Sequence, residues 1–98
     1  LETRRPAAPR LLPLDAVEAG EPFTVTWVGI ASCIYYELQE STSVAFEPGA
    51  TRAIRIFHPE QKAERPGRPA GKVYFRVKAV DQENQASPWS APLTVEVQ

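Results

Sequence analysis

Between Val73 and Asp81 the chain reads VYFRVKAVD. In an extended backbone Val73, Phe75, Val77 and Ala79 point to one side, and Tyr74, Arg76, Lys78 and Val80 to the other. That period of two does not fit the 3.6-residue repeat of an amphipathic helix. It recurs along the chain. From Pro22 to Val28 (PFTVTWV), Phe23, Val25 and Trp27 alternate with Thr24 and Thr26. From Ile34 to Glu40 (IYYELQE), Ile34, Tyr36 and Leu38 share one face while Tyr35, Glu37 and Gln39 share the other. Arg52 to His58 (RAIRIFH) places Ile54 and Ile56 together, and Leu93, Val95 and Val97 alternate with Thr94, Glu96 and Gln98. β-Branched enrichment makes the Arg52 to His58 run a strand rather than a helical turn.

The intervening segments read as turns. Ten prolines without Gly-X-Y periodicity suit strand edges and loops, because proline removes a donor and fixes φ. A first strand is expected between Pro9 and Leu14. Ser41 to Thr51 is expected to be a loop with an edge strand at Val44 to Phe46, ahead of the turn signal Pro48-Gly49. His58 to Arg65 (HPEQKAER) carries a proline at a first helical position, Glu60 early, Lys62 and Arg65 late, and Pro66-Gly67 as a stop. One helical turn is expected there. About seven strands with short connections imply an all-β, two-sheet antiparallel sandwich.

Composition bounds the rest. With 98 residues, 43% of them hydrophobic and 23% charged, the chain can close one core and is not disordered by composition. A formal charge of -1 supplies no long-range field for nucleic acid. Cys33 is the single cysteine, so no internal disulfide supports the fold. No apolar run reaches the roughly 20 residues of a membrane span, so membrane insertion is not expected. Residues 1–8 read as a linker and 9–98 as the domain, and the absence of an initiator methionine suggests a piece of a longer polypeptide.

The order of these pieces resembles a fibronectin type III domain: a tryptophan in TVTW, a tyrosine in YYELQES, then YFRVKAVD and SPWS. The resemblance covers Pro9 to Val97, is greatest to bacterial members, and implies an immunoglobulin-like sandwich. In the family's lettering the alternating runs are strands B, C, E, F and G. The resemblance implies that Trp27, Tyr36, Leu38, Phe75, Val77 and Val95 fill the space between the sheets. The family's corner tyrosine falls at Val73 here, and Tyr74, one step along, faces the other way. The connection from Pro59 to Gly71 exceeds the family's usual link between strands E and F. The family implies a non-catalytic spacer or protein-interaction module of an extracellular or cell-envelope protein, engaging a protein partner or neighbouring domains.

Candidate interaction residues are Lys62, Arg65, Arg68, Arg76 and Trp89. Trp89 is positioned to stack against Arg76 or Lys78, as in the tryptophan and arginine ladder of cytokine-receptor modules. Lys62, Arg65, Arg68 and Lys72 offer cations to an anionic glycan or phosphate, diluted by Glu60 and Glu64. Without interleaved aromatic rings, nucleic-acid binding is not expected. The Asp81 to Ser87 loop is a further recognition candidate. Carbohydrate recognition requires an exposed aromatic platform that includes Trp89, Tyr35 or Tyr74. Catalysis requires Cys33 and His58 in contact with a third group orienting the ring, and the positions assigned to them do not bring them together. Asp15 with Glu18, and Asp81 with Glu83, match no metal or acid–base constellation. Neither cofactor nor metal is implied.

Overall fold

A computed structural model of the protein describes residues 6–98; residues 1–5 of the proposed linker lie outside the described residues. Seven strands form: β1 Arg10–Leu11, β2 Phe23–Val28, β3 Tyr35–Ser41, β4 Thr51–Phe57, β5 Lys62–Arg65, β6 Gly71–Val80 and β7 Leu93–Val97. They make two antiparallel sheets, β1-β2-β5 and β4-β3-β6-β7. One 3-10 turn, Pro48–Ala50, precedes β4. No helix of the described residues is long and apolar enough to cross a membrane.

The inner faces follow from the alternation. Trp27, Tyr36, Leu38, Phe75, Val77 and Val95 are all buried in one cluster, as the resemblance implies. Trp27 meets Tyr36 edge-on with ring centroids 5.5 Å apart, and Phe23 meets Phe75 at 6.0 Å. Each large side chain withdrawn from water stabilises the sandwich by about 1.5 to 3 kcal/mol, and the edge-to-face geometry suits the ring quadrupoles.

Several expectations are corrected. The run at Arg52 to His58 is a strand, but not strand E: β4 pairs with β3, Ile56 opposite Tyr36 and Ile54 opposite Leu38. It is therefore the outer strand of the four-stranded sheet. The expected helical turn at His58 to Arg65 is instead β5, with Ala63 opposite Val25. Ala63 is buried while Lys62 and Glu64 are exposed on either side. A four-residue strand with a single small apolar residue is masked by its charges, which mimic the dipole preferences of a helix. The long connection from Pro59 to Gly71 thus contains the strand that completes the second sheet.

Val44 to Phe46 is loop, not an edge strand. Phe46 adopts a left-handed φ of 54°, which turns its ring back onto the sheet and ends any extended run. Ile34 sits on the bend before β3 and is 40% exposed rather than inward. Val80, expected on the outer face, is buried where a bridge to Ala86 folds the following loop over it.

Register also fixes the ends. Arg10 of β1 pairs with Val28, at the pole where β2 leads into β3. Val97 of β7 pairs with Gly71, at the opposite pole, where β6 begins. The body measures 50 × 25 × 17 Å along its principal axes.

Candidate functional site

The outer face of β4-β3-β6-β7 carries the densest set of exposed chemistry. Its organiser is the segment SPWS, Ser87 to Ser90. Proline at 88 cannot donate to a ladder, so the chain does not pair as a regular strand here. Side chains take over: the amides of Ala79 and Val77 donate to the hydroxyls of Ser87 at 2.9 Å and Ser90 at 3.0 Å. The amides of Ser87 and Ser90 return bonds of 2.8 Å to the Ala79 and Val77 carbonyls. Both serines are buried, and the clamp holds Trp89 over the strand.

There the Arg76 guanidinium lies 4.2 Å from the Trp89 ring centroid and 4.4 Å from that of Phe46. Its Nε donates to Gln39 Oε1 at 2.7 Å, across the register that pairs Gln39 with Arg76. Burial lowers the Arg76 pKa from its ordinary value, opposed by the Glu37 carboxylate. Lys78 Nζ lies 4.7 Å from the same Trp89 ring. An exposed cation over a ring contributes about 0.5 to 1 kcal/mol. Nearer the free edge, Arg55 lies 4.2 Å from the Tyr35 ring, and Tyr35 and Phe57 are 6.2 Å apart. Phe57 is 61% exposed.

The sequence-nominated cations do not form one patch. Lys62 is exposed on β5 beside Thr24, Glu60 and Glu64. Arg65 and Arg68 converge on Glu40: Arg65 Nε donates to Oε1 at 2.7 Å, and Arg68 Nε donates to Oε2. Glu40 is buried. Burial pushes its carboxyl up, but the hydrogen bonds and charges of Arg68 and Arg65 outweigh this and hold its pKa below the usual value. This triad links the sheets and is a structural use of two nominated residues. A signal for it was present: continuing the Tyr36, Leu38 face puts Glu40 inside, where a carboxylate needs a cation.

Cys33 and His58 are in contact, contrary to the expectation that they lie apart. Pairing β4 with β3 brings the two together, with His58 N donating to Ile34 O at 2.9 Å and Cys33 Sγ 3.6 Å from His58 Nδ1. Tyr36 Oη shares that nitrogen at 3.2 Å. The same hydroxyl accepts the Ile30 N–H at 3.1 Å and lies 3.3 Å from the Ile30 carbonyl oxygen. Burial, then the hydrogen bond with Cys33, pushes the Tyr36 phenol up to about 12. Cys33 Sγ also lies 3.4 Å from the Ile30 carbonyl oxygen. Cys33 and Tyr36 thus converge on one ring nitrogen of His58. The cluster clasps the loop from β2 to β3 against the core.

Beside it lies a hollow of about 530 Å³ lined by Ala31, Ser32, Cys33, Asp81, Gln82 and Glu83 among others. Asp81 Oδ1 accepts the amides of Glu83 and Gln85, each at 2.9 Å, so this carboxylate shapes the Asp81 to Ser87 loop. Among the described residues, no three His, Cys, Asp or Glu side chains are grouped as a metal ion would need.

This arrangement of a three-stranded and a four-stranded antiparallel sheet is the fibronectin type III fold. Fibronectin(III)-like modules of Clostridium thermocellum CbhA superpose with a TM-score of 0.68 at 13% identity, over 92% of this chain and 95% of theirs. A Fn3-like protein from the same organism gives 0.64 at 19% identity, over 94% and 96%. A β-1,2-glucanase from Parabacteroides distasonis gives 0.69 at 22% identity, over 93% of this chain but only 12% of the glucanase. No protein-family model matches the chain, and no curated protein matches it.

Proposed function

We propose that this chain is a non-catalytic module that spaces and joins parts of a larger multidomain protein. The observation that carries this reading is the placement of its ends: the backbone enters β1 at the Val28 pole and leaves β7 at the Gly71 pole. An elongated body of 50 Å with inlet and outlet at opposite poles holds its neighbours apart. The match to a small share of a much longer glucanase supports a modular setting. The hydrogen bonds of Cys33 and Tyr36 beside His58 go to the Ile30 backbone, a structural use of the cluster that supports the non-catalytic reading. Recognition of carbohydrate is less favoured, because the Tyr35 and Trp89 rings each carry a cation on a face.

The test places the chain between two fluorescent proteins and reads energy transfer and small-angle scattering. One narrow separation is expected, broadening only as urea unfolds the module. A distribution equal to that of a Gly/Ser linker of the same length would contradict the reading. Retention on a β-glucan gel that Trp89→Ala abolishes would favour the carbohydrate alternative.

A further inference from the structure

The outer edge of β4 is open. Its ladder with β3 is anchored at the two ends by His58 N to Ile34 O at 2.9 Å and Thr42 N to Ala50 O at 3.3 Å. Antiparallel strands alternate bonded and non-bonded pairs. Even-numbered residues of β4 therefore bond to β3, while odd-numbered ones turn their backbone groups outward. Thr51 N is occupied by Pro48 O, and Phe57 O accepts from Glu60 N at 3.1 Å. The N–H and C=O of Ala53 and Arg55, and the N–H of Phe57, remain for a partner.

The other edges differ. The segment at 17–19 covers β7, with Val17 N to Glu96 O at 2.9 Å, Gln98 N to Val17 O at 2.8 Å and Ala19 N to Gln98 O at 2.7 Å. Strands β1 and β5 have two and four residues, too short to template a long pairing. Strand β4 has seven.

The charge on β4 selects the occupant. Thr51 to Phe57 (TRAIRIF) holds two arginines and no acid, and the adjoining outer face carries Arg55, Arg76 and Lys78 against Glu37. A second copy pairing along this edge would bring four arginines to one seam, and like charges across a strand pair are destabilising. An acidic segment has the opposite sign. Carboxylates on the outer face would meet Arg55, while apolar residues on the inner face would extend the half-buried surface of Ile54 and Ile56.

We infer that the β4 edge is a strand-addition site for an extended protein segment in which acidic residues alternate with apolar ones. Backbone bonds to Ala53, Arg55 and Phe57 supply affinity, and the alternation supplies register and specificity. This goes beyond the spacing role and names a site and the chemistry of its partner.

The probe is a capped ten-residue peptide alternating glutamate with valine, titrated into isotope-labelled protein and followed by NMR. The amides of Ala53, Arg55 and Phe57 are expected to shift and to exchange more slowly, while those of Ile54 and Ile56, already bonded to β3, change little. Ala53→Pro removes one outward donor and leaves the β3 ladder intact; it is expected to weaken binding about tenfold or more. Arg55→Glu is expected to lose the glutamate peptide and to bind a lysine counterpart instead. Shifts on another face, equal binding of the lysine peptide by the unaltered protein, or self-association that protects the same three amides would overturn the inference. None of these outcomes changes the separation measured between fused fluorescent proteins, so failure here and failure of the spacing role are distinguishable.

Discussion

The Glu40 carboxylate, carried by β3 in one sheet, lies 2.7 Å from the Arg65 guanidinium of β5 in the other. Arg68 binds its second oxygen. The pair crosses the sandwich at the pole opposite the Tyr36 clasp, so each end of the core carries a polar cluster. Desolvating three charged groups is costly, and the triad holds because both oxygens are paired.

Replacing Glu40 by glutamine leaves two partly buried guanidinium groups without their anion. Removing one partner of a buried pair costs about 3 to 5 kcal/mol. Urea unfolding of Glu40→Gln at neutral pH is expected to show a loss of at least about 3 kcal/mol. A loss below about 1 kcal/mol, the worth of an exposed pair, would show that the triad is solvated.

The same carboxylate makes stability depend on acidity. Its folded pKa lies below the ordinary value of 4.5, so the folded state favours the ionised form. Its contribution is complete above that value and declines as pH falls below it through the folded pKa. The stability gap between the unaltered protein and Glu40→Gln is therefore expected to be widest at neutral pH and to narrow below 4.5. A gap independent of pH in acid would contradict the assignment.

At the other pole, a Cβ on Gly29 would overlap the Tyr36 hydroxyl. Gly29→Ala is expected to destabilise by displacing that hydroxyl from Ile30. Tyr36→Phe is expected to cost about 1 to 3 kcal/mol, since the Ile30 amide loses its acceptor. Because both act on one contact, the double variant should lose less than the sum by about 1 kcal/mol. Strict additivity in thermal or urea unfolding would place the two residues apart.

The Arg76 and Trp89 stack is expected to couple by about 0.5 to 1 kcal/mol in a double-mutant cycle, read from unfolding of Arg76→Ala, Trp89→Ala and the double variant. Trp89→Ala alone should cost more than the coupling, because it also exposes the surface beneath the ring. Zero coupling would leave the two side chains as neighbours without interaction.

Much of this architecture was legible in advance. The inward faces of β2, β3, β6 and β7 follow from period-two runs with β-branched and aromatic residues, and Trp27, Tyr36, Leu38, Phe75, Val77 and Val95 are buried together. What alternation does not encode is which strand lies beside which. The period-two run of β4 marks it as extended but not that it lies beside β3, the pairing that brings His58 to Cys33. Strand β5 carries the signature of a helical turn because Ala63 is its one apolar residue and its other inward position is the charged Arg65. The role of Arg65 and Arg68 is hidden for a related reason: Glu40 continues the Tyr36 and Leu38 face, but Arg65 lies on β5 and Arg68 in the connection that follows it, and alternation does not show that either faces Glu40. The Arg76 and Trp89 stack is legible because Arg76 lies on the outer face of the strand that SPWS follows.

The second sheet exists only if Lys62 to Arg65 is a strand, for β2 otherwise has just the two residues of β1 beside it. Trp27 N donating to Gln61 O at 3.1 Å fixes the bonded pairs, so Thr24 with Glu64 and Thr26 with Lys62 are the close non-bonded ones. Their α-protons should give strong cross-strand nuclear Overhauser contacts in solution. Absence of those contacts, with sequential helical ones from Pro59 to Arg65 in their place, would contradict the two-sheet sandwich.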